Sequence, residues 1–436
     1  MMQQADITIL CRERTPRLQY VCDWIFSAIF GLRFRLLLPE ENLAEDGSFL
    51  LAYGVISANT QLYNCGLLHQ QGIAPQSVQW SEWNNIPAFF TTDADMDIPF
   101  DVFSAVFFLI SRYEEYTNHK PDKHDRFDAR ESILFQAHLL ERPLADEWLH
   151  AFGSWLKNKG LPVKPKAFRF TPSYDIDIAW SYRHKGWLRN AGGYLRDLTR
   201  TNFHGLQART QVLSGSAPDP YDSFGFLDQL HARFGLDPLY FILAATQADS
   251  FDKNIAPDHP AMRLLIRHLS EHYRVGLHPS YNSSVREQLL QAEQKILETI
   301  TGKAMTRSRQ HYIRFRLPDT FRLLLRNGIR EDYSMGYGTH PGFRAGTGNS
   351  FYWYDLEHEE ATVLRITPFC FMDTTAHYEL SLPVEQAFGL LRRMRDRLAA
   401  SGSDMVTVFH NFSLGSDPVW KGWRDHYEQF IQSTVS

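Results

Sequence analysis

The segment FRFTPSYDID, residues 168–177, decides the fold of this chain, because a regular alternation of strands and helices begins there. It reads as a strand ending in Asp175 and Asp177, and side chains two residues apart lie on the same side of a strand. Further strand-like segments follow, with helical segments between them: PLYFILAA (238–245), RVGLH (274–278), HYIRF (311–315), GIREDYS (328–334), TVLRITPF (362–369) and MVTVFH (405–410). Seven alternations within roughly 260 residues predict an incomplete parallel (β/α)7 barrel.

The first part of the chain has a less regular pattern. The segments DITIL (6–10), GLRFRLLL (31–38) and SFLLAYG (48–54) are strand-like, whereas PFDVFSAVFFLISRYEEY (99–116) has helical spacing of apolar residues. A later helix ends at Gly160, and LPVKPKA then reads as a linker. The chain is therefore expected to be an α/β protein, with a smaller mixed α/β accessory domain (residues 1–162) in front of the barrel (residues 163–436).

Composition narrows the class of protein. A chain of 436 residues is long enough for two domains, and 44% hydrophobic with 22% charged residues is typical of a soluble globular protein. The net charge of -5 argues against general electrostatic attraction to nucleic acid or acidic membranes. The four cysteines have no paired spacing, and the first residues lack the order of a signal peptide. We predict a cytoplasmic protein without a transmembrane segment, since no apolar run approaches ~20 residues.

Ionisable residues stand at the ends of nearly all the predicted strands. They are Asp175, Asp177, His278, His311, Arg314 with Arg316 just beyond it, Asp332, Asp373 and His410. Each alone has a structural explanation, such as a turn, a helix cap or a buried histidine. In (β/α) barrels, however, the chemistry lies at the C-terminal ends of the strands. Carboxylates and imidazoles gathered there are typical of a hydrolytic metal site.

The order of these motifs resembles that of the polysaccharide deacetylases, carbohydrate esterase family four, which have the NodB-homology fold. In SYDID the resemblance implies that Asp175 is the general base and Asp177 a metal ligand. His278 matches the first histidine of the family's His-x-x-x-His motif. The function implied is metal-dependent hydrolysis of N-acetyl groups on an N-acetylated sugar or polysaccharide, with a divalent ion such as zinc as cofactor.

The remaining family motifs have matches later in the chain. FRLPDT offers Arg316, followed by Pro318, to orient the base, and Arg314 is a close competitor. Asp332 matches the strand-end aspartate that orients the catalytic acid, and VTVFHN offers His410 as that acid.

One position departs from the family pattern. Asn282 stands where the second histidine of His-x-x-x-His is expected. An amide oxygen is a poorer ligand for zinc-like ions than an imidazole nitrogen, and His311 is the alternative third ligand. Two other functions therefore stay open: a catalytically silent barrel that binds a glycan or a protein, and an amidase acting on a small cyclic amide.

Several phrases resemble a bacterial subgroup of these proteins in which a leading domain with a segment like SRYEEY precedes the barrel. They are RSRQHYIRF, DYSMGY, GFRAGT, FYWYDLEHE and PFCFMD. After the first predicted strand, residues 181–210 carry six Lys or Arg residues against one Asp, with Trp187 and Tyr194 among them. This segment is either a solvated amphipathic helix or a lid that attracts an anionic or carrier-linked carbohydrate.

Overall fold

The computed structural model describes residues 6–42, 47–55, 60–164, 166–246 and 250–435. Its strands form a four-stranded sheet, a nine-stranded sheet and a two-stranded hairpin, with helices between and around them. The fold is mixed α/β, as predicted.

The four-stranded sheet belongs to the first part of the chain. Its strands are β1 (Ile7–Cys11), β2 (Phe34–Leu37), β3 (Phe49–Tyr53) and β4 (Gln61–Leu62), and the small hairpin is β5 (Ser81–Trp83) with β6 (Ile86–Ala88). The sheet order is β2-β1-β3-β4, and all of its pairs are parallel. These strands coincide with DITIL, GLRFRLLL and SFLLAYG, because their apolar residues are buried in the core.

The nine-stranded sheet carries the second part of the chain. Its strands are β7 (Arg169–Ile176), β8 (Leu239–Leu243), β9 (Arg274–His278), β10 (Arg307–Ser308), β11 (Glu331–Asp332), β12 (Phe351–Asp355), β13 (Glu360–Ile366), β14 (Phe371–Met372) and β15 (Asp404–His410). The order is β12-β13-β11-β10-β9-β8-β7-β15-β14, and only β12 is antiparallel to its neighbour. Within the described residues, eight strands are therefore parallel where seven were predicted.

One predicted strand is not a strand in the structure. HYIRF is not a strand: β10 ends at Ser308, and His311–Ile313 form a single 3-10 turn after it. The prediction failed because the apolar residues of this segment, Ile313 and Phe315, are buried in a loop rather than in the sheet.

Twelve α-helices accompany the sheets in the described part of the chain. They are α1 (Pro16–Cys22), α2 (Val102–Ile110), α3 (Ile133–Gln136), α4 (Leu144–Asn158), α5 (Gly186–Thr199), α6 (Phe203–Leu213), α7 (Phe224–Phe234), α8 (Pro260–His272), α9 (Glu287–Thr301), α10 (Asp319–Arg326), α11 (Val384–Ser401) and α12 (Trp423–Val435). Helices α9 and α11 end at Gly302 and Gly402, whose φ angles of 69° and 67° lie in the left-handed region that favours glycine. Among the described residues, no helix is both long enough and apolar enough to cross a membrane.

Most buried apolar residues of the two larger sheets form one continuous cluster, and Leu239, Phe241 and Tyr333 form a small separate one. Ion pairs also cross between the two parts. Arg112 and Arg344 both contact Glu115, and Arg112 also contacts Glu114. We call these four buried residues the junction cluster. Helix α2 and the loop that follows it are thereby fixed against the segment between β11 and β12.

Candidate metal centre

Three imidazole rings surround the carboxylate of Asp177, which directly follows β7. Nε2 of His278 lies 3.1 Å from Asp177 Oδ1. Nε2 of His311 and Nε2 of His410 each lie 3.4 Å from Asp177 Oδ2. His278 and His410 are the last residues of β9 and β15, so strand ends deliver both rings to one place. The parallel sheet therefore assembles a cluster of four ligand-type groups.

The other ring nitrogen of each histidine is held by an acceptor. Nδ1 of His278 donates to the main-chain carbonyl of Arg309, and Nδ1 of His311 donates to Asp252 at 2.8 Å. Nδ1 of His410 donates to Asp373 at 2.6 Å. Because a carbonyl or carboxylate oxygen only accepts, each Nδ1 carries its proton. In the neutral imidazoles, all three Nε2 lone pairs therefore face the carboxylate of Asp177.

Lone pairs on nitrogen and carboxylate oxygen at this separation need a proton or a cation between them. The ligand atoms of Asp177, His278 and His311 all lie within 4.8 Å of one another. Two imidazoles and one carboxylate, with a further position left for water or substrate, are a common donor set of catalytic zinc sites. Hydrogen-bonded Nδ1 atoms are also usual in metal-binding histidines, since they fix the ring orientation. The residues present fit a zinc-like divalent ion.

Burial and charge act in opposite directions on these groups. Burial favours the neutral carboxyl of Asp177, but the charges of His311 and His410 outweigh it and hold its pKa well below the usual range. Burial also disfavours the charged form of His311, yet Asp177 and Asp252 raise its pKa to about 9. For His410 the carboxylates of Asp373 and Asp177 overcome the same desolvation and raise the pKa well above its ordinary value. The site is thus built to hold positive charge beside Asp177.

A second carboxylate, Asp175, lies on β7 beside this cluster. Its Oδ1 accepts a hydrogen bond of 2.7 Å from Nη1 of Arg309, and its Oδ2 lies 3.7 Å from Nε2 of His278. Arg309 is completely buried and also donates to Ser173 and to the carbonyl of Tyr333. The guanidinium is therefore fixed on three sides, and it orients Asp175 with one oxygen towards the cavity.

These groups line a cavity of about 430 Å³. Beside the acids and histidines, its wall contains aromatic and small groups from several loops: Tyr221, Phe251, Tyr312, Gly338, Met372, Tyr378 and Phe412. Phe251 stacks on Tyr281 with ring centroids 4.0 Å apart, so part of the wall is a rigid aromatic surface. A cavity of this volume is within the range of small-ligand sites.

The first part of the chain contributes to the same wall. His124 and Arg126, from the loop after α2, line the cavity. Nδ1 of His124 lies 3.1 Å from the hydroxyl of Tyr281, and Arg126 donates to the carbonyl of Tyr312. Asp122 accepts from Nε of Arg126 at 2.7 Å, which holds the arginine in place. The leading segment is thus part of the site and not only a cover for one side of the sheet.

The two arginines expected beside Asp175 lie elsewhere. The side chain of Arg316 is 59% exposed and pairs with Asp125. Arg314 donates to the carbonyls of His124 and Tyr281 and to the hydroxyl of Ser284. The position next to Asp175 belongs to Arg309, because β10 ends at Ser308, three positions before HYIRF begins, and Arg309 is the first residue beyond the strand.

Asp332 and Asn282 also occupy positions other than those expected. Asp332 accepts hydrogen bonds from Ser308 and Ser334, and burial raises its pKa to about 6. Asp373 takes the expected place beside His410, accepting from both its ring and its main-chain N–H. Asn282 lies in the turn after β9, where its carbonyl accepts from the main-chain N–H of Arg286. It is not among the described residues that line the cavity.

Three residues support the cluster in ways that the sequence did not predict: Arg309, Asp252 and Asp373. Asp373 was visible as a strand-end acid, but Asp332 matched the same motif and its strand comes earlier. Asp252 lies nine residues beyond the end of β8, where no strand-end rule would find it. Arg309 was hidden by the misplaced strand.

Comparisons with known proteins give distant likenesses. Residues 7–161 match the model of a family of unknown function (DUF7033), and no curated protein sequence matches the chain. A solved structure assigned as a polysaccharide deacetylase from Mycobacterium smegmatis is similar over 63% of this chain and 85% of its own, with 14% identity and a TM-score of 0.40. The Puue allantoinase is similar over 61% of this chain and 83% of its own, with 14% identity and a TM-score of 0.39.

A third solved structure, the carbohydrate deacetylase Agd3, is similar over 99% of this chain and 84% of its own length, with 9% identity and a TM-score of 0.36. Likenesses this distant assign no role to any residue. The roles proposed below depend on the geometry of the site and on its chemistry.

Proposed function

We propose that this chain is a metal-dependent hydrolase that removes N-acetyl groups from an N-acetylated sugar or polysaccharide. The observation that carries the proposal is the convergence of Asp177, His278 and His311, with Asp175 close to His278 and His410 close to Asp177. A metal-ligand set, a buried base and a buried acid within one cavity are the groups that amide hydrolysis needs. The order of the sequence motifs, which resembles that of the polysaccharide deacetylases, supports the same chemistry.

In this proposal Asp177, His278 and His311 hold a divalent ion, and zinc suits the two nitrogen ligands best. When bound, such an ion polarises a carbonyl oxygen and lowers the pKa of water from 15.7 to about 7. His311 replaces Asn282 as the third ligand, because its Nε2 faces Asp177 and its Nδ1 is fixed by Asp252. With His311 as the third ligand, Asn282 is no longer a reason to expect a catalytically silent barrel.

Asp175 acts as the general base. Arg309 binds one of its oxygens and fixes the orientation of the carboxylate, while the other oxygen is left to accept a proton from the attacking water. The carboxylate is 2% exposed, so few water molecules compete for it.

His410 acts as the general acid that donates a proton to the leaving nitrogen. Asp373 fixes the ring through Nδ1, which leaves Nε2 directed into the cavity. A neighbouring carboxylate keeps an imidazole protonated near neutral pH, and nitrogen leaves an amide readily only when it is protonated. Base and acid therefore approach the scissile amide from different strands, β7 and β15.

The substrate class follows from the cavity wall. Tyr312 and Phe412 offer flat apolar faces suited to a sugar ring, and Lys253 adds a positive charge at the same wall. An anionic or carrier-linked carbohydrate is therefore a suitable candidate. We further propose that the nine-stranded sheet forms an incomplete barrel (residues 163–436), that residues 1–162 form an accessory domain, and that the protein is cytoplasmic.

The first experiment is elemental analysis of metal in the purified protein, with His311→Ala and Asn282→Ala as a matched pair. We expect near-stoichiometric zinc, or another divalent ion, in the wild type and in Asn282→Ala, and its loss in His311→Ala and Asp177→Ala. Retention of metal in His311→Ala with loss in Asn282→Ala would restore the sequence-based ligand set. A wild type that takes up no divalent ion would overturn the hydrolase proposal.

Activity is then measured as acetate release from a panel of N-acetylated sugars and oligosaccharides. Release that requires both the metal and Asp175 supports the proposal. A metal-loaded protein that binds these sugars without releasing acetate would make it a binding protein instead.

A further inference from the structure

Helices α5 and α6 pack against each other as a hairpin, residues 181–216, which we call the α5–α6 hairpin. The side chains between its helices are polar. Arg209 on α6 donates to Asn190 and to Asp197 on α5, at 3.1 and 2.9 Å, and all three side chains are buried. The guanidinium also lies over the ring of Tyr182 at 4.6 Å. A buried ion pair and its amide partner, rather than an apolar core, thus join the two helices.

The apolar residues of the same hairpin are on its outside. The large exposed ones are Trp187 (77%), Leu188 (67%), Leu195 (65%), Leu198 (57%), Phe203 (71%) and Leu213 (44%). At 3.6 residues per turn, the four on α5 fall within an arc of about 100°. A soluble helix normally buries such an arc against its own core. Within the described part of the chain, nothing covers this one.

Exposed basic residues lie on a different arc. Arg189 and Arg196 on α5, and Arg200 directly after it, are exposed and stand about 80° or more from the apolar arc. Residues 181–216 contain six Lys or Arg residues and one Asp, which gives a local charge of +5, although the whole chain carries -5. The single acid, Asp197, is already paired with Arg209. The outer surface of the hairpin is therefore both apolar and cationic.

We propose that the α5–α6 hairpin binds the surface of an anionic lipid bilayer. A helix with Trp, Leu and Phe on one face and Lys or Arg on the other lies in the plane of a membrane interface, and the basic side chains interact with anionic headgroups. A second copy of this chain is the less suitable occupant, because two hairpins of charge +5 would repel each other. This inference goes beyond the proposed hydrolysis and does not depend on it.

The base of the hairpin is fixed at the edge of the cavity. The carboxylate of Asp219 accepts hydrogen bonds of 2.8–2.9 Å from the main-chain N–H groups of Ser181, Tyr182 and Arg183. Ile178 and Tyr221, on either side of this contact in sequence, line the cavity. A bilayer bound by the hairpin would therefore lie on the side of the molecule where β7 carries Asp175 and Asp177 to the cavity.

The test is co-sedimentation of the full chain with two kinds of vesicle: phosphatidylcholine alone, and phosphatidylcholine mixed with phosphatidylglycerol. We expect binding to the mixed vesicles, weaker binding to phosphatidylcholine alone, and a decrease with added salt. The double variant Trp187→Ser/Leu188→Ser should lower the affinity for mixed vesicles about tenfold or more, since two large apolar side chains no longer enter the interface.

A matched control and a charge variant complete the test. Leu264 is 66% exposed on α8, so Leu264→Ser removes an equally exposed leucine and should leave vesicle binding unchanged. Arg189→Gln/Arg196→Gln should lower the affinity for the mixed vesicles about tenfold, with little effect on phosphatidylcholine alone. Absence of binding to mixed vesicles, or an equal loss in Leu264→Ser, would overturn the proposal. A dimer that dissociates in the Trp187→Ser/Leu188→Ser variant would overturn it in favour of a second copy.

Discussion

Buried arginine and carboxylate groups meet in two places in this molecule, and the surroundings of the carboxylate differ. In the junction cluster both oxygens of Glu115 are used by Arg344, and Oε1 also accepts from Arg112. In the cavity Arg309 takes one oxygen of Asp175, and the other faces His278 and the cavity. The first carboxylate is saturated by cations, whereas the second keeps an oxygen for a ligand.

The difference separates a role in folding from a role in chemistry. Removing one partner of a saturated buried pair leaves an uncompensated charge in the interior, so the free energy of unfolding decreases. Removing the charge of a carboxylate that faces a cavity mainly changes the reaction there. Four substitutions test this difference between the two carboxylates.

The largest effect is expected from Asp175→Asn, which keeps the shape of the side chain and removes its ability to take a proton. Acetate release should decrease by about 10²–10⁴-fold, while metal content stays near that of the wild type. Steady-state kinetics beside elemental analysis checks this. A variant that unfolds instead would place Asp175 with Glu115 as a structural carboxylate.

The next effect is expected from Glu115→Gln, which leaves Arg112 and Arg344 without a charged partner. The free energy of unfolding should decrease by about 3–5 kcal/mol, measured by denaturant titration. Glu428→Gln is the control, since it breaks an exposed pair with Arg233 that is worth about 0–1 kcal/mol. Equal losses in the two variants would contradict the special role of the junction cluster.

The junction cluster also predicts a pH dependence of stability. Burial alone would raise the pKa of Glu115, but Arg344 and Arg112 lower it to about 2. A carboxyl with a lowered pKa in the folded state contributes stability above its unfolded pKa, ordinarily about 4.3, and loses it as the pH decreases towards 2. The wild type should lose more stability than Glu115→Gln over this interval.

A smaller effect is expected from Asp252→Asn, which weakens the hydrogen bond that orients His311. Metal affinity should decrease about 10–100-fold, the usual cost of changing a group that supports a ligand. Competition with a chelator measures it. Asp332→Asn is the control, because Asp332 contacts Ser308 and Ser334 instead of a metal-ligand histidine. A larger loss of affinity in Asp332→Asn would contradict the assignment of Asp252.

The smallest effect is expected from Arg316→Gln. Arg316 is exposed, and its one ion pair among the described residues is with Asp125 at 3.4 Å, so stability should change by less than about 0.5 kcal/mol and activity should stay near that of the wild type. The same assays on Arg309→Gln should give a clear loss of activity. A loss of activity in Arg316→Gln but not in Arg309→Gln would assign the orienting role to Arg316.

The sequence predicted the parts of the site that strands position directly. Asp175 and Asp177 at β7, His278 at β9 and His410 at β15 are all found at strand ends, because hydrophobic patterning locates buried parallel strands well. Most strands were found for the same reason. The mixed α/β class followed from that alternation.

The wrong predictions concern site residues that lie in or next to loops. β10 and β11 have only two residues each, too few for an apolar pattern, so HYIRF was taken for a strand and Arg309 was overlooked. Two aspartates fitted one motif, and distance alone separates them: Asp373 contacts His410, whereas Asp332 contacts two serines. His124 contacts Tyr281, which lies 157 positions further along the chain, and local patterns do not reveal such a contact.

The loop that carries His124 and Arg126 has a consequence for how this protein can be divided. A chain begun at residue 163 would keep all three proposed metal ligands, the base and the acid. It would lose one wall of the cavity, and Arg344 would be left without Glu115. Swapping the first segment between related chains should therefore change substrate preference and stability together, because the segment after α2 carries Glu115 as well as the cavity residues His124 and Arg126.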